Sequence, residues 1–446
     1  MKKTILPIFI LLTLTSVVFS QEPWTLERCI EYALANNIQV KQQELNVKVN
    51  EVNLLQSKMD ALPTININGN HSYSFGLVTN YLTNTKEALN TQATSFSVST
   101  GLPIYNGFQL TNTRKQNHFD LKASVADVEK VKNNIALTIA SLYLQILYQQ
   151  ELVEIAKRQV ELSTMQLERT KVLVSAGSLP EGNLYEVEAL VASDELQLVN
   201  AQNQLNLSYL NLTQLLELKT TEGFQIAKPV IPQIDSVKLV SESPSQIFGV
   251  AEGIMPQIQS ARYKLQSSEL GLKIAKGGLQ PRLSLGANYN SGAQYRIQDN
   301  YAFDGDPFIT QIKNNASKSV GLSLSIPIFN GLSARNRVTT AKIGLMNAQL
   351  ALESERNALY KDIQQAYADA IAAEKKLQAS QKSKTASEES FRYTQNRFNL
   401  GLVTALDFTS AKNKLAQAET DLLQAKYELI FKTKILEFYK GLPLKL

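Results

Sequence analysis

Four stretches of the chain alternate apolar with polar residues, and they predict β-strands at about 63–75, 94–103, 281–291 and 319–327. Because a period of two turns successive side chains to opposite faces, each strand should have one apolar and one polar face. The polar positions are almost all Ser, Asn, Thr or Gly. Each stretch is about ten residues long, enough for a tilted strand to cross a bilayer. The same alternation also fits half-buried strands of a soluble sandwich.

Most of the remaining chain follows a helical period. The predicted helices run at about 26–62, 108–175, 181–218, 244–275 and 332–400, and from after Gly401 to about 439. The stretch 108–175 contains neither Pro nor Gly, and a helix of that length extends on the order of 100 Å. In the helix that follows each glycine break, contact positions recur at spacings of three and four, which indicates a heptad seam. In the first of these helices the seam includes Val187, Val191 and Asp194. The pattern predicts two long antiparallel helical hairpins.

A five-residue motif marks an internal repeat. Pro-Ile-Tyr-Asn-Gly at 103–107 returns as Pro-Ile-Phe-Asn-Gly at 327–331, 224 positions later. The same offset separates Gly177 from Gly401, and each is predicted to end a long helix in the left-handed conformation that glycine readily adopts. In both copies a strand runs into the motif and a long helix follows it.

This offset divides the chain into two similar halves. The first repeat is predicted at 21–218, with the tip of its helical hairpin near 177. The second repeat is predicted at 244–446, with its tip near 401. Residues 219–243 lose the helical period and are predicted to form an irregular equatorial crossing segment between the repeats.

The first twenty residues resemble a secretory signal peptide. Lys2 and Lys3 form a charged start, residues 5–19 form an apolar core, and small or β-branched residues precede Gln21. No later window is apolar enough to predict a transmembrane helix. The mature chain is therefore predicted to be exported, and any membrane crossing would require strands closed into a barrel.

Composition argues against several classes of function. Hydrophobic residues make up 44% of the chain and charged residues 19%, as in an ordinary folded protein, and the net charge of +5 makes no electrostatic case for nucleic acid binding. Cys29 is the only cysteine, so no intrachain disulfide can form. Two histidines, no phosphate-cradling glycine loop and no nucleophile elbow predict no enzyme, no cofactor and no metal site.

The number of strands predicts an oligomer. Four strands cannot close a membrane barrel, because about eight is the observed minimum, and an open sheet would leave unsatisfied edges in lipid. Two copies would supply eight strands, with an interior filled by side chains. Three copies would supply twelve strands and could leave an open lumen. The small, neutral polar faces of the strands favour a wet interior.

The motif repeats, the paired order of long and short helices and the two glycine tips together resemble the TolC family of outer-membrane efflux proteins, over essentially all of residues 22–440. That resemblance implies a mostly α-helical fold with a small β contribution, assembled as a homotrimer. It implies a twelve-stranded β-barrel in the outer membrane, continued by a twelve-helix α-barrel in the periplasm. It also implies a passive exit duct that works with a periplasmic adaptor protein and an inner-membrane pump.

The family pattern at the hairpin tips has glycine, then Ser or Thr at +3 and Asp at +6. It is met at the second tip by Gly401, Thr404 and Asp407. The resemblance implies that Asp407 faces the periplasmic pore entrance, where a ring of carboxylates favours cations. The equivalent position of the first tip is the neutral Asn183. Some members carry a further Asp three residues on, where this chain has Ser410.

The resemblance also implies other roles at the tips. Arg397 and Phe398 are candidates for gate contacts just before the second turn. The candidate adaptor-docking residues are Ala176, Gly177, Ser178, Leu400, Gly401 and Leu402.

Two functions follow from these patterns. The first is the outer-membrane duct of a tripartite efflux or type I secretion system, open in principle to drugs, metals, polypeptides or glycans. The second is a coiled-coil spacer of the cell envelope with a β-strand membrane anchor. The strand pattern separates them, because a spacer has no need of a small, neutral polar face.

Overall fold

The computed structural model describes residues 23–80, 84–88, 90–229, 242–297 and 306–445. The predicted signal peptide at 1–20 lies outside the described residues, and so does the central part, 230–241, of the predicted crossing segment.

The elements, in chain order, are α1 (Leu26–Asn36), α2 (Ile38–Met59), β1 (Thr64–Ser74), β2 (Leu77–Asn80), β3 (Thr85–Ala88), β4 (Thr91–Tyr105), α3 (Gln109–Ser175), α4 (Gly182–Leu215), α5 (Pro244–Ile254), α6 (Pro256–Gly277), β5 (Arg282–Arg296), α7 (Phe308–Asn314), β6 (Ser317–Ser325), α8 (Ser333–Asn399) and α9 (Ala405–Tyr439). The mostly helical fold class with a small sheet is confirmed. Of the helices described, none is both long and apolar enough to cross a bilayer.

Two of the predicted helices are each divided in two. The helix predicted at 26–62 breaks at Asn37, whose backbone is extended and whose side-chain amide donates to the carbonyl oxygen of Leu215 at 3.2 Å. The helix predicted at 244–275 breaks at Met255, because Pro256 cannot donate a helical hydrogen bond and holds the preceding residue extended. A helical period continues across both breaks. No comparable signal marks Asn37, whereas Pro256 is a sequence signal for a break that the predicted range 244–275 passed over.

Regular structure also occurs in the two connections between the predicted strands, where the sequence pattern predicts no element. Between β1 and β4 lies a small antiparallel sheet of β2 and β3, and β4 itself begins at Thr91. The connection between β5 and β6 contains α7. These elements are four to seven residues long, too short for the periodicity that predicts a strand or helix.

The chain forms two compact units, each built from segments of both predicted repeats. The first unit comprises residues 1–38, 133–243 and 365–446, and the second comprises 39–132 and 244–364. The long helices α3 and α8 each contribute residues to both units.

The first unit has an apolar core along α3, α4 and α9, with Ile139, Ile146, Leu212 and Leu436 fully buried. Beside this core, the hydroxyl of Tyr143 lies 2.6 Å from the carbonyl oxygen of Ala227 and 3.0 Å from that of Trp24. Trp24 and Ile226 form a parallel bridge. The Tyr143 hydroxyl therefore ties the start of the described chain and the segment after α4 to the middle of α3.

In the second unit the repeated motif forms the same backbone turn twice. Gly107 and Phe108 both have positive φ, and so do Gly331 and Leu332. In each copy the motif asparagine offers its side-chain oxygen to the start of the following long helix, from Asn106 to the N–H of Leu110 at 3.5 Å and from Asn330 to the N–H of Ala334 at 3.4 Å. In both copies the motif therefore follows the end of a strand and caps the start of a helix.

The first copy of this turn also requires glycine for close packing. A Cβ atom on Gly107 would lie 2.3 Å from the carbonyl oxygen of Gly277 at the end of α6. A Cβ atom on Gly331 would meet nothing within 4 Å, so only its positive φ favours glycine there.

Candidate functional site

The main sheet of the second unit is antiparallel in the order β1-β4-β5-β6. Its register gathers the apolar residues of all four strands on one face, since Ile67, Val98 and Tyr289 share one level and Leu102, Leu285 and Leu322 share another. Val320 is 76% exposed and Leu322 is 67% exposed. This exposed apolar face is continuous across the sheet.

The opposite face of the sheet is polar, and its central levels carry no charge, whereas Arg282 and Arg296 lie on this face at the two ends of β5. One level consists of Asn66, Ser99, Asn288 and Ser319, and the next of Asn68, Ser97, Asn290 and Ser317. Below them, Thr64 is in register with glycines on the other three strands. The face therefore presents small hydroxyl and amide groups, which bind water without favouring one sign of charge.

Both outer strands keep an open edge. Within the described residues, neither β1 nor β6 has a strand on its outer side. A long open edge presents a row of unpaired N–H and C=O groups, which is a template for pairing with another chain. The sheet is thus incomplete as a single copy.

The tips of both helical hairpins lie in the first unit and use one turn geometry. At the first tip Gly177 has φ +69°, and the N–H of Ser178 donates to the carbonyl oxygen of Leu173 at 2.9 Å. At the second tip Gly401 has φ +72°, and the N–H of Leu402 donates to the carbonyl oxygen of Arg397 at 2.9 Å. This is the Schellman motif, so both glycines are required by backbone conformation.

Asp407 forms a capping box at the start of α9. Its carboxylate accepts from the hydroxyl of Thr404 at 2.7 Å and from the N–H of Thr404 at 3.1 Å, while its own N–H donates back to that hydroxyl at 3.2 Å. These bonds, aided by the charge of Arg397, lower the pKa of the exposed Asp407. At the first tip, among the residues that the structure describes, the side chain of the N-cap residue Glu181 makes no capping hydrogen bond to α4, and the backbone N–H of Asn183 donates to the carbonyl oxygen of Pro180.

The two candidate gate residues differ in their surroundings. The ring of Phe398 stacks on that of Phe408 with centroids 4.9 Å apart, and Phe391 packs against Phe408 at 5.5 Å. Phe398 therefore holds α8 and α9 together. The side chain of Arg397 is exposed, and the backbone carbonyl oxygen of Arg397 accepts the hydrogen bond from Leu402 that closes the turn.

The adaptor-docking candidates form the outer surface of the two turns. Ala176, Gly177 and Ser178 are exposed in the first turn, as are Gly401 and Leu402 in the second. Leu400 is 74% exposed. These side chains contribute little to the core of the hairpins.

The structure adds a contact between the two tips that the sequence did not indicate. The guanidinium of Arg169 on α3 donates to the carbonyl oxygen of Asn399 at 2.6 Å and also to its side-chain oxygen. Beside it, a cleft of about 330 Å³ is lined by residues of both turns, including Leu179 and Val403, and by Val187 of α4. No periodicity relates Arg169 to Asn399, so only the folded chain reveals the pair.

A second missed contact lies deeper between the hairpins. The ammonium of Lys412 on α9 donates to the carboxylate of Asp194 on α4. Lys412 is 1% exposed and Asp194 is also buried. The heptad seam placed Asp194 at a contact position, but its partner could not be read from the seam.

The described residues contain no group of three or more His, Cys, Asp or Glu side chains that could hold a metal ion. His71 bonds to the hydroxyl of Thr94 at 2.7 Å within the sheet.

Comparison with known proteins gives a consistent result. The family model for outer membrane efflux proteins matches residues 29–217 and 251–435. Toxin and drug export protein A of Aggregatibacter actinomycetemcomitans is 22% identical over 336 residues, which cover 75% of this chain and 69% of that protein.

Solved structures share the fold. CusC superposes with a TM-score of 0.79 at 17% identity, covering 93% of this chain and 92% of the other. The CmeC outer membrane channel of Campylobacter jejuni also has a TM-score of 0.79 at 17% identity, covering 93% and 85%.

Proposed function

The chain belongs to the outer membrane efflux protein family, and we propose that it is the outer-membrane exit duct of a tripartite export system. It would conduct substrates passively from the periplasm to the outside. The observation that carries this proposal is the sheet. One face is apolar and exposed, the other is polar with uncharged central levels, and both outer edges are open within the described residues. The apolar face suits contact with lipid, and the polar face suits a water-filled lumen. The open edges suit pairing with further copies of the chain.

Closure of the sheet supports a homotrimer. Pairing the outer edge of β6 with β1 of the next copy would continue the antiparallel order around a ring. Three copies supply twelve strands, enough to enclose a lumen wider than the packed interior of an eight-stranded barrel. A spacer anchored by strands would need no such interior of small polar groups, which favours the duct.

Conductance in a planar bilayer tests this function directly. We expect the purified full-length protein to give discrete conductance steps, since water would fill the polar lumen. If correctly inserted trimers stay silent even when their tips are loosened by Arg169→Ala, the duct is wrong and the spacer gains support.

We place the tips at the periplasmic entrance and assign the charge of Asp407 to ion selectivity there. Asp407→Asn should reduce the preference for cations by about twofold at about 0.1 M salt, where screening acts over about 10 Å. Thr404→Ala is the matched control, because it weakens the helix cap but keeps the carboxylate. Equal selectivity in the parent and both variants would move the filter elsewhere.

The pH dependence of this selectivity has a defined sign. Hydrogen bonds from Thr404 lower the pKa of Asp407, so the carboxylate stays charged through mild acidification. The cation preference should persist to about pH 4, the ordinary pKa of an aspartate, and decline only below it.

Adaptor docking is assigned to the outer surface of the turns. The exposed side chains of Leu400 and Leu402 are available to a partner helix without disturbing the hairpin. Leu400→Ser with Leu402→Ser should weaken binding to the adaptor by about tenfold or more, as the loss of two buried apolar contacts would. Leu442→Ser, an exposed leucine outside the tips, is the control. Undiminished adaptor capture by the tip variant would contradict this assignment.

The gate is assigned to movement of the second hairpin, α8 with α9, away from the first. Stacking of Phe398 on Phe408 would let that hairpin move as one piece. The contacts that resist such movement are the Arg169–Asn399 hydrogen bonds and the Asp194–Lys412 pair.

A further inference from the structure

The short helix α7 covers one end of the sheet edge. β6 pairs with β5 only as far as Asn290, whereas β5 continues to Arg296. Beside this extension the N–H of Gln294 donates to the side-chain oxygen of Gln311 at 2.9 Å, and the side-chain amide of Asn315 donates to the carbonyl oxygen of Gly292 at 2.8 Å. Side chains from α7 and its end thus replace the missing strand as hydrogen-bond partners.

α7 lies on the apolar side of this edge. The register places Ser291 level with Phe96 and Ala293 level with Thr94, on the face that carries Tyr289. Ser291 and Ala293 are buried, although the rest of this face is largely exposed. The hydroxyl of Ser291 donates to the carbonyl oxygen of Ile312 at 2.5 Å. The helix therefore extends the apolar face of the sheet.

The outer surface of α7 is apolar with cationic groups beside it. Ile309 is 62% exposed and Phe308 is also exposed. Lys313 is exposed on the helix, and Lys318 is exposed on β6 in register with Tyr289. The only carboxylate in the sequence from 306 to 325 is that of Asp306, which accepts from the side-chain amide of Asn314 at 3.0 Å.

The height of these groups along the sheet matches a membrane boundary. From Ile326 to Lys318 the chain advances eight residues, or about 27 Å at about 3.4 Å each. A strand tilt of about 40° reduces this to about 20 Å, close to the apolar band of about 25 Å that membrane strands present. Lys318 and α7 therefore lie near the rim of the band, at the end of the sheet away from the junctions with α3 and α8.

We propose that α7 is an interfacial helix that binds the phosphorylated headgroups of the outer leaflet. Phe308 and Ile309 enter the boundary between headgroups and acyl chains, while Lys313 and Lys318 pair with phosphate. This arrangement follows the way amphipathic helices lie in a membrane surface, with apolar side chains inward and lysines at the headgroups. The inference rests on the proposed function, because it takes the apolar face of the sheet to be the lipid face.

Fluorescence quenching in vesicles tests the apolar half of the proposal. The full-length protein with Cys29→Ala, which removes the buried native thiol, carries a fluorophore at Ile309→Cys in phosphatidylcholine vesicles with phosphatidylglycerol. A nitroxide on the lipid headgroup should quench this probe strongly. Iodide should quench it at least about threefold less than a probe at Lys86→Cys, because membrane-bound side chains are withdrawn from water. Equal iodide quenching at both positions overturns the proposal, and shielding from both quenchers overturns it in favour of a protein neighbour.

A probe at Leu322→Cys separates this inference from the function beneath it. If a nitroxide on the lipid acyl chain quenches position 322 but the headgroup nitroxide does not quench position 309, the interfacial helix is wrong and the membrane-spanning sheet stands. If the lipid nitroxides quench neither position, the proposed duct is wrong together with the interfacial helix.

The lysines are tested by binding of labelled phosphatidylglycerol to the detergent-solubilised protein. Lys313→Gln with Lys318→Gln should raise the apparent dissociation constant by about fivefold for each lysine, as expected for basic residues at an anionic surface. Lys342→Gln, an exposed lysine on α8, should leave it within about twofold. An unchanged constant in the double variant overturns the assignment to phosphate.

Discussion

Replacing Lys412 with Met should destabilise the first unit by about 3–5 kcal/mol, because it leaves a buried carboxylate without its partner. Lys412 is 1% exposed, and its ammonium donates to Asp194 between α9 and α4. Desolvation of an unpaired charge costs far more than loss of a surface ion pair. Denaturant unfolding of the purified full-length protein, followed by helical circular dichroism, measures the change.

A double variant distinguishes a buried pair from a generally sensitive position. Asp194→Leu with Lys412→Met removes both charges, and its stability should return close to that of the parent, as apolar replacements of buried pairs often do. Glu419→Gln provides the surface comparison, since Glu419 pairs with the exposed Arg158 at 3.4 Å. It should cost no more than about 1 kcal/mol. If Lys412→Met unfolds at the same denaturant concentration as the parent, solvent reaches Asp194 and the pair does not join the hairpins.

Cross-linking the two tips should reduce export by more than about tenfold, because opening would require the second hairpin to leave the first. Arg169 and Asn399 already meet at this point, with 2.6 Å between a guanidinium nitrogen and the carbonyl oxygen. Arg169→Cys with Asn399→Cys, in the Cys29→Ala background, can be bridged by a short bismaleimide. Accumulation of a fluorescent efflux dye by cells with the variant as their only copy reports the loss of export.

The unbridged variant is an internal control with an expected phenotype of its own. Without the bismaleimide it lacks the Arg169 tether, so export should be retained and passive entry through the duct should rise. A monofunctional maleimide labels the same thiols without joining them and should leave export intact. Normal export by fully bridged protein would exclude movement between the hairpins at this position.

The repeat could be predicted closely from the sequence because its signals are local. The long helix predicted at 108–175 is Gln109–Ser175, and the one at 332–400 is Ser333–Asn399. Gly177 and Gly401 end these helices because a left-handed residue is needed there, whatever surrounds it. The strands likewise followed from alternation, although β5 extends to Arg296, past the predicted end.

The family tip pattern identifies Asp407 but does not decide whether its side chain faces a pore. The spacing of Thr404 and Asp407 fits the family tip pattern, and the structure gives both residues a local task, the capping box of α9. A side chain can cap a helix and still face a pore, since capping engages one carboxylate oxygen and leaves the charge in place. The entrance role remains a prediction that the selectivity of Asp407→Asn and Thr404→Ala will test.

The sequence by itself determined the four long strands, the helices of the two hairpins and the glycine turns at their tips, because those features depend on neighbours along the chain. Only the tertiary structure decided which distant groups meet. The register that gathers Ile67, Val98 and Tyr289 on one face, the Asp194–Lys412 pair and the covering of β5 by α7 join residues 17 to 218 positions apart. Such contacts follow from the packing of complete elements, and no local period encodes them.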